Sequence, residues 1–153
     1  MGWHWEDFRV GQPVATPSRT VTEGDVLLFA GITGDQNELH TSATYAAERT
    51  PFGRPVAHGL LCLGIANGLI ARAGLYEGTA LALLGLEDWR FLAPVFPGDT
   101  LAALLVPVET RPSRSRPEAG IVRAELTLRN QNGVDVQKGV LALLVRRREA
   151  ALP

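Results

Sequence analysis

An α+β fold, with an antiparallel sheet packed on one long apolar helix, is what this sequence predicts, and three observations predict it. Residues 59–74 read Gly-Leu-Leu-Cys-Leu-Gly-Ile-Ala-Asn-Gly-Leu-Ile-Ala-Arg-Ala-Gly, apolar on nearly every side, so the pattern predicts a buried helix. Four stretches behind it, at about 79–92, 100–110, 120–130 and 134–147, carry strand composition with turn residues between them. The order, one early strand, then helices, then a run of antiparallel strands, is an α+β order.

The 153 residues form one expected domain, 1–153, large enough for a real core. A formal net charge of -1 offers no footprint for nucleic acid or for a membrane surface. The apolar run holds about 13 residues before Arg72, short of the roughly 20 that cross a bilayer. One cysteine and an N-terminus unlike a signal peptide predict a cytoplasmic protein without disulfides.

In chain order, Trp3-His4-Trp5-Glu6-Asp7-Phe8 opens with aromatics. A metal site needs several converging ligands, so these are expected to pack on a sheet or on a neighbouring subunit. A first strand should end near Val21. Thr22-Glu23-Gly24-Asp25 fits a capping box, and Val26, Leu27, Phe29 and Ala30 support a helix from about 22 to 33, ended by Gly31 and Gly34. Ser42–Arg49 reads as a short helix capped by Ser42, broken by the two prolines and glycine of residues 50–55. In the third long strand, Val122, Ala124, Leu126 and Leu128 alternate with polar residues, predicting one dry and one wet face. Asn132-Gly133 predicts a two-residue type I′ hairpin. The basic connection Arg111–Pro117 and the tail Arg146-Arg147-Arg148-Glu149 are expected to be solvated; if the ligand carries phosphates, those would be natural partners for the former.

Between the first helix and the apolar one lies the chemistry. Gly34, Asp35 and Asn37 all favour turns, so Gly34–His40 is expected to fold back and bring Asp35 and His40 onto one water or one substrate proton. Their bland alternatives are a turn-forming aspartate and a satisfied polar histidine, and the residues alone leave both open. Asn37 is read as tying the loop together through its amide. At the apolar helix, the first N–H groups lack helical partners, so Gly59 offers a donor for a developing oxyanion. His58 is expected to anchor the helix start by hydrogen bonding. His58 and Cys62 are spaced i, i+4, which allows a Cys–His nucleophile, but apolar surroundings raise a thiol's pKa, so Cys62 is assigned to packing. Asn67 lies two turns in and needs a partner, structural or ligand.

These segments, in this order, resemble the MaoC-like (R)-specific enoyl-CoA hydratases. Gly34-Asp35-Gln36-Asn37-Glu38-Leu39-His40 is similar to the family's Gly-Asp-x-Asn-Pro-x-His signature. The similarity continues through Tyr45-Ala46-Ala47, Phe52–Gly59, Arg90-Phe91-Leu92-Ala93-Pro94-Val95 and Gly98-Asp99-Thr100, and so covers nearly the whole chain. Glu38 stands at the family's usual Pro, and Ser42 at an Asp it often carries. The resemblance implies a hot-dog fold, a sheet wrapped round a central helix. It implies Asp35 and His40 as the catalytic pair, Gly59 as the enolate donor, and His58, Asn37 and Asn67 at the substrate, Asn67 standing near where members often have Ser. The activity implied is reversible hydration of a trans-2-enoyl-CoA, or an acyl carrier protein thioester, to the (R)-3-hydroxyacyl product. No cofactor is implied beyond coenzyme A as part of the substrate, and a homodimer or higher homo-oligomer is expected. A hot-dog thioesterase and a non-catalytic acyl-thioester binding module are the alternatives.

Overall fold

The computed structural model describes residues 2–148. After a 3-10 turn at Trp5–Asp7 come β1 (Val14–Ala15), β2 (Arg19–Thr20), α1 (Glu23–Thr33), α2 (Glu38–Thr41), α3 (Ala43–Arg49) and α4 (Gly59–Arg72). The long strands follow: β3 (Ala80–Phe91), β4 (Thr100–Pro112), β5 (Ala119–Arg129) and β6 (Asp135–Arg146). They form one antiparallel sheet in the order β1-β4-β5-β6-β3, with β2 also paired to β4. The α+β class and the hot-dog arrangement, α4 laid on a curled sheet, follow the expectation.

The core explains why. Cys62, Ile65, Ala66, Leu69 and Ile70 of α4 are buried in one cluster with residues from the strands. From β5, Val122, Ala124, Leu126 and Leu128 are all fully buried, while Arg123, Glu125 and Thr127 between them are not. Each leucine so buried contributes on the order of 2 kcal/mol. The N-terminal aromatics pack on the sheet as expected: Trp5 donates from Nε1 to the Ile121 carbonyl at 3.2 Å, and Trp3 meets Phe8 edge-on. A side chain on Gly120 would collide with the Trp5 ring, which is why that strand position is glycine.

Four expectations are corrected. The first strand is two short pieces, because Pro17 interrupts it; the Thr16 hydroxyl accepts from the Ala103 N–H at 2.9 Å in place of a ladder bond. The Asn132-Gly133 hairpin is not a two-residue type I′ turn. Asn130 donates to the Val134 carbonyl, and Gly133 alone has positive φ (76°), so three residues connect the strands, with Gly133 in the left-handed position. Helix α4 is not buried all round: Leu60, Gly64, Asn67 and Gly68 face outward, and a Cβ on either glycine would meet nothing within 4 Å. The C-terminal arginines are not merely solvated. Arg147 lies over the Trp5 ring and pairs with Glu6, and Arg148 pairs with Asp7. Glu149 lies outside the described residues.

Candidate active site

Helix α1 places the first side chain. Thr22 accepts from the Asp25 N–H at 3.1 Å and the Asp25 carboxylate accepts from the Thr22 N–H at 2.8 Å, the reciprocal cap expected. Burial alone would raise the Asp25 carboxyl, but the Thr22 N–H and hydroxyl and the Arg19 guanidinium hold it below its ordinary value. The helix runs through Gly31 and stops at Gly34, whose φ of 78° lets its N–H reach back to the Ala30 carbonyl at 2.9 Å. Asp35 follows at once, exposed, on a turn in which its Oδ1 lies 3.5 Å from the Asn37 N–H.

Asn37 then caps α2, its Oδ1 accepting from the Leu39 N–H at 3.1 Å, the structural role read from its amide. Position 38 is therefore the first residue of a helix. Pro fits there because its missing N–H would be an orphan anyway, and Glu fits because an acid complements the helix dipole. Ser42 caps α3 by accepting from the Tyr45 N–H at 3.2 Å, a task Asp performs equally well. Both departures from the signature thus preserve the local geometry.

One turn of α2 carries His40 round to face Asp35. Its Nδ1 lies 2.7 Å from the Val56 carbonyl. A carbonyl only accepts, so Nδ1 holds a proton, and in the neutral ring Nε2 then presents a lone pair. His58 donates from Nε2 to the Asp35 backbone carbonyl at 2.9 Å, and its ring stacks on His40 with centroids 3.7 Å apart. Ligating atoms of Asp35, His40 and His58 lie within 4.8 Å of one another. Such a set invites a metal reading, but the protons assigned to His40 Nδ1 and His58 Nε2 are spent on carbonyls, and His58 Nδ1 is buried. What remains free is one carboxylate and one imidazole nitrogen, which suits a water better than a cation.

Beside His40 opens a cavity of about 720 Å3 whose wall includes Gly59, Leu60, Cys62 and Phe91. Gly59 is the first residue of α4, and among the described residues its N–H has no hydrogen-bond partner. Its carbonyl accepts from Gln137 Nε2 at 2.8 Å, and Gln137 Oε1 accepts from Trp89 Nε1 at 3.2 Å. A Cβ at residue 59 would sit 2.6 Å from the Phe91 ring, so only glycine admits that close approach. Burial, with Asp99 nearby, pushes the Cys62 thiol up to about 12, which leaves no thiolate for a Cys–His nucleophile.

The structure thus brings Asp35, His40, His58 and Gly59 together. It does not bring Asn67, which is exposed eight residues, or about 12 Å of helix, beyond Gly59. The Arg111–Pro117 connection also lies away from the pair, at the far end of β4 from the Val95–Asp99 turns. Gln137 and Phe91 were missed as site residues. Phe91 lay inside a matched segment, whereas nothing in the β6 pattern marks Gln137.

Comparison with known proteins gives the family. Residues 7–130 match the model of the MaoC like domain. The chain is 35% identical over 117 residues to a 3-hydroxybutyryl-CoA dehydratase of Methylorubrum extorquens, covering 74% of this chain and 69% of that one. It is 38% identical over 102 residues to Protein MaoC of Klebsiella aerogenes, covering 67% of this chain but only 30% of that longer protein. The R-hydratase of Pseudomonas aeruginosa superposes with a TM-score of 0.78 at 31% identity, over 98% of this chain and 93% of that one. With the signature loop and the helix start in their places, the chain belongs to the MaoC-like dehydratase family and has its hot-dog fold.

Proposed function

We propose that the protein is a hydro-lyase that adds water reversibly to a trans-2-enoyl thioester, giving the (R)-3-hydroxyacyl thioester. The observation that carries this reading is that ligating atoms of Asp35 and His40 lie within 4.8 Å of each other while His40 and Gly59 both line one apolar cavity. A water between Asp35 and His40 gives up a proton to the pair as its oxygen bonds to C3. The C2–C3 π electrons move onto the thioester oxygen, where the Gly59 N–H stabilises the enolate, a donor worth about 3 kcal/mol. The enolate collapses and C2 takes up the proton that the pair received. Proton transfer of this kind needs no cofactor; coenzyme A, or an acyl carrier protein, enters as part of the substrate.

The cavity favours a plain acyl chain. Neither Lys nor Arg is among its lining residues, so the cavity offers no fixed cation to pair with a second carboxylate on the substrate. Assembly enters the same reading. Strand β3 is an edge of the sheet, with Leu83, Leu84 and Leu86 exposed along it, and Leu28 and Ile32 on α1 are 67% and 83% exposed. An apolar edge of that length is a template for pairing, so the protein is proposed to work as a homodimer or higher homo-oligomer. No helix among the described residues is long and apolar enough to cross a membrane, and the single, unpaired, buried cysteine suits a reducing cytoplasm.

Crotonyl-CoA tests the reading. Loss of enone absorbance without release of free thiol is expected. Free thiol would make the protein a thioesterase, and binding without turnover would make it a non-catalytic module.

A further inference from the structure

We infer that His58 is a positioning residue of this site, a single imidazole that holds the Asp35 loop and sets the plane of the His40 ring. The inference rests on the hydration reading above and moves His58 from the substrate, where the resemblance put it, to a place behind the pair, since it is buried and does not line the cavity.

Three contacts carry it. Its Nε2 donates to the Asp35 carbonyl at 2.9 Å. Among the described residues, every other hydrogen bond of Gly34–Asn37 stays within residues 30–41, so this one alone ties the exposed carboxylate's backbone to the core. Second, the His58 and His40 rings lie 3.7 Å apart and 28° from parallel. The His40 bond to the Val56 carbonyl fixes one ring nitrogen but leaves the ring free to turn about that bond; a flat neighbour removes the freedom and aims Nε2. Third, His58 is the cap residue of α4, yet its side chain makes no capping bond and turns to the loop instead. Ser, Thr, Asp or Asn at a cap would bond the first turn's N–H groups; His58 leaves them uncapped beside Gly59.

Packing alone does not explain the choice. His58 is 2% exposed, and its Nδ1 is buried without a partner. A buried polar atom left unpaired is unfavourable, and a phenyl ring would fill the same space against Phe29, 4.9 Å away, without that defect. What Phe lacks is the Nε2 proton that the Asp35 carbonyl accepts.

The test compares His58→Phe, which keeps a ring and loses the donor, with His58→Gln, whose amide nitrogen can reach where Nε2 sits. His58→Phe should lower kcat for crotonyl-CoA by about 100-fold, as a misplacement of about 1 Å does, with KM within about threefold because the acyl cavity is untouched. His58→Gln should recover at least about tenfold of that loss, since a donor to the Asp35 carbonyl is restored. A His58→Phe protein with near-normal kcat overturns the inference, as does an equal loss in both variants. Should His58→Phe fail to fold, 15N NMR of the unmodified protein decides: Nε2 protonated and Nδ1 bare on His58, the reverse on His40. The opposite tautomer on His58 overturns the inference. The underlying reaction is checked separately, by whether the unmodified protein hydrates crotonyl-CoA at all and Asp35→Asn does not.

Discussion

At the scale of single residues, Gly59 and Cys62 show how one atom decides a role. A methyl on Gly59 would press on Phe91, whose side chain is 56% exposed and able to shift, so Gly59→Ala alone confounds the donor with the space around it. In a Phe91→Ala background the two separate. Gly59→Ala keeps its N–H there and should retain kcat within a few-fold, whereas Gly59→Pro, tolerated at the first position of a helix, should lose about 100-fold or more. Equal rates would mean that the N–H does not stabilise the enolate. Cys62 makes a pH prediction. Its thiol is raised by burial from an ordinary 9.0 to about 12, so the folded state binds a proton that the unfolded state releases between those values. The associated stability is complete below about pH 9 and falls as pH rises toward 12, by about 1.4 kcal/mol per unit. Urea melts at pH 8 and 10.5 should therefore diverge more for the unmodified protein than for Cys62→Val; equal divergence would contradict the assignment. The Asp35/His40 juxtaposition is legible because Gly, Asp and Asn announce a turn. Gln137 is not, because its partner is a backbone carbonyl 78 residues away, and no local pattern encodes such a contact.

At the scale of elements, local chemistry was the best guide where the bonds are local. The Thr22/Asp25 box and the Ser42 cap stand where the side chains put them. Thr22→Ala should cost about 1 kcal/mol in thermal or urea unfolding at pH 7; no measurable change would show that α1 is held by packing alone. Because Asp25 is held below its ordinary value, its share of that stability is present above about pH 4 and fades as the pH falls through the depressed pKa. Patterns mislead where a neighbouring side chain competes for the same turn, or where burial depends on what lies outside the chain. Asn132-Gly133 is a strong hairpin signal, yet the Asn130 amide oxygen accepts from both the Asn132 and Val134 N–H groups and draws a longer loop around itself. Helix α4 looked buried on all sides because its composition is apolar, whereas the sheet of one chain covers only one face.

That uncovered face is a property of the whole molecule. Apolar residues exposed on α1, on α4 and along the β3 edge are what a second copy would bury, and a single chain's periodicity cannot distinguish burial in a core from burial between copies. Light scattering at micromolar concentration should therefore give at least twice the 16.5 kDa chain mass. Leu84→Glu, at an exposed edge position, should shift the protein toward monomer with little change in secondary structure. A monomer with full activity would remove the oligomer from the account.

The central claim, that Asp35 and His40 act together on one water, is tested most directly by kcat for crotonyl-CoA hydration in Asp35→Asn, His40→Ala and the double mutant. Each single change should cost at least about 100-fold, within the range of general acid–base groups. The double mutant should be little worse than the poorer single one, because a water that has lost one holder gives the other little to act on. Losses that multiply would assign the two residues independent roles, and single mutants with near-normal hydration would contradict the account outright.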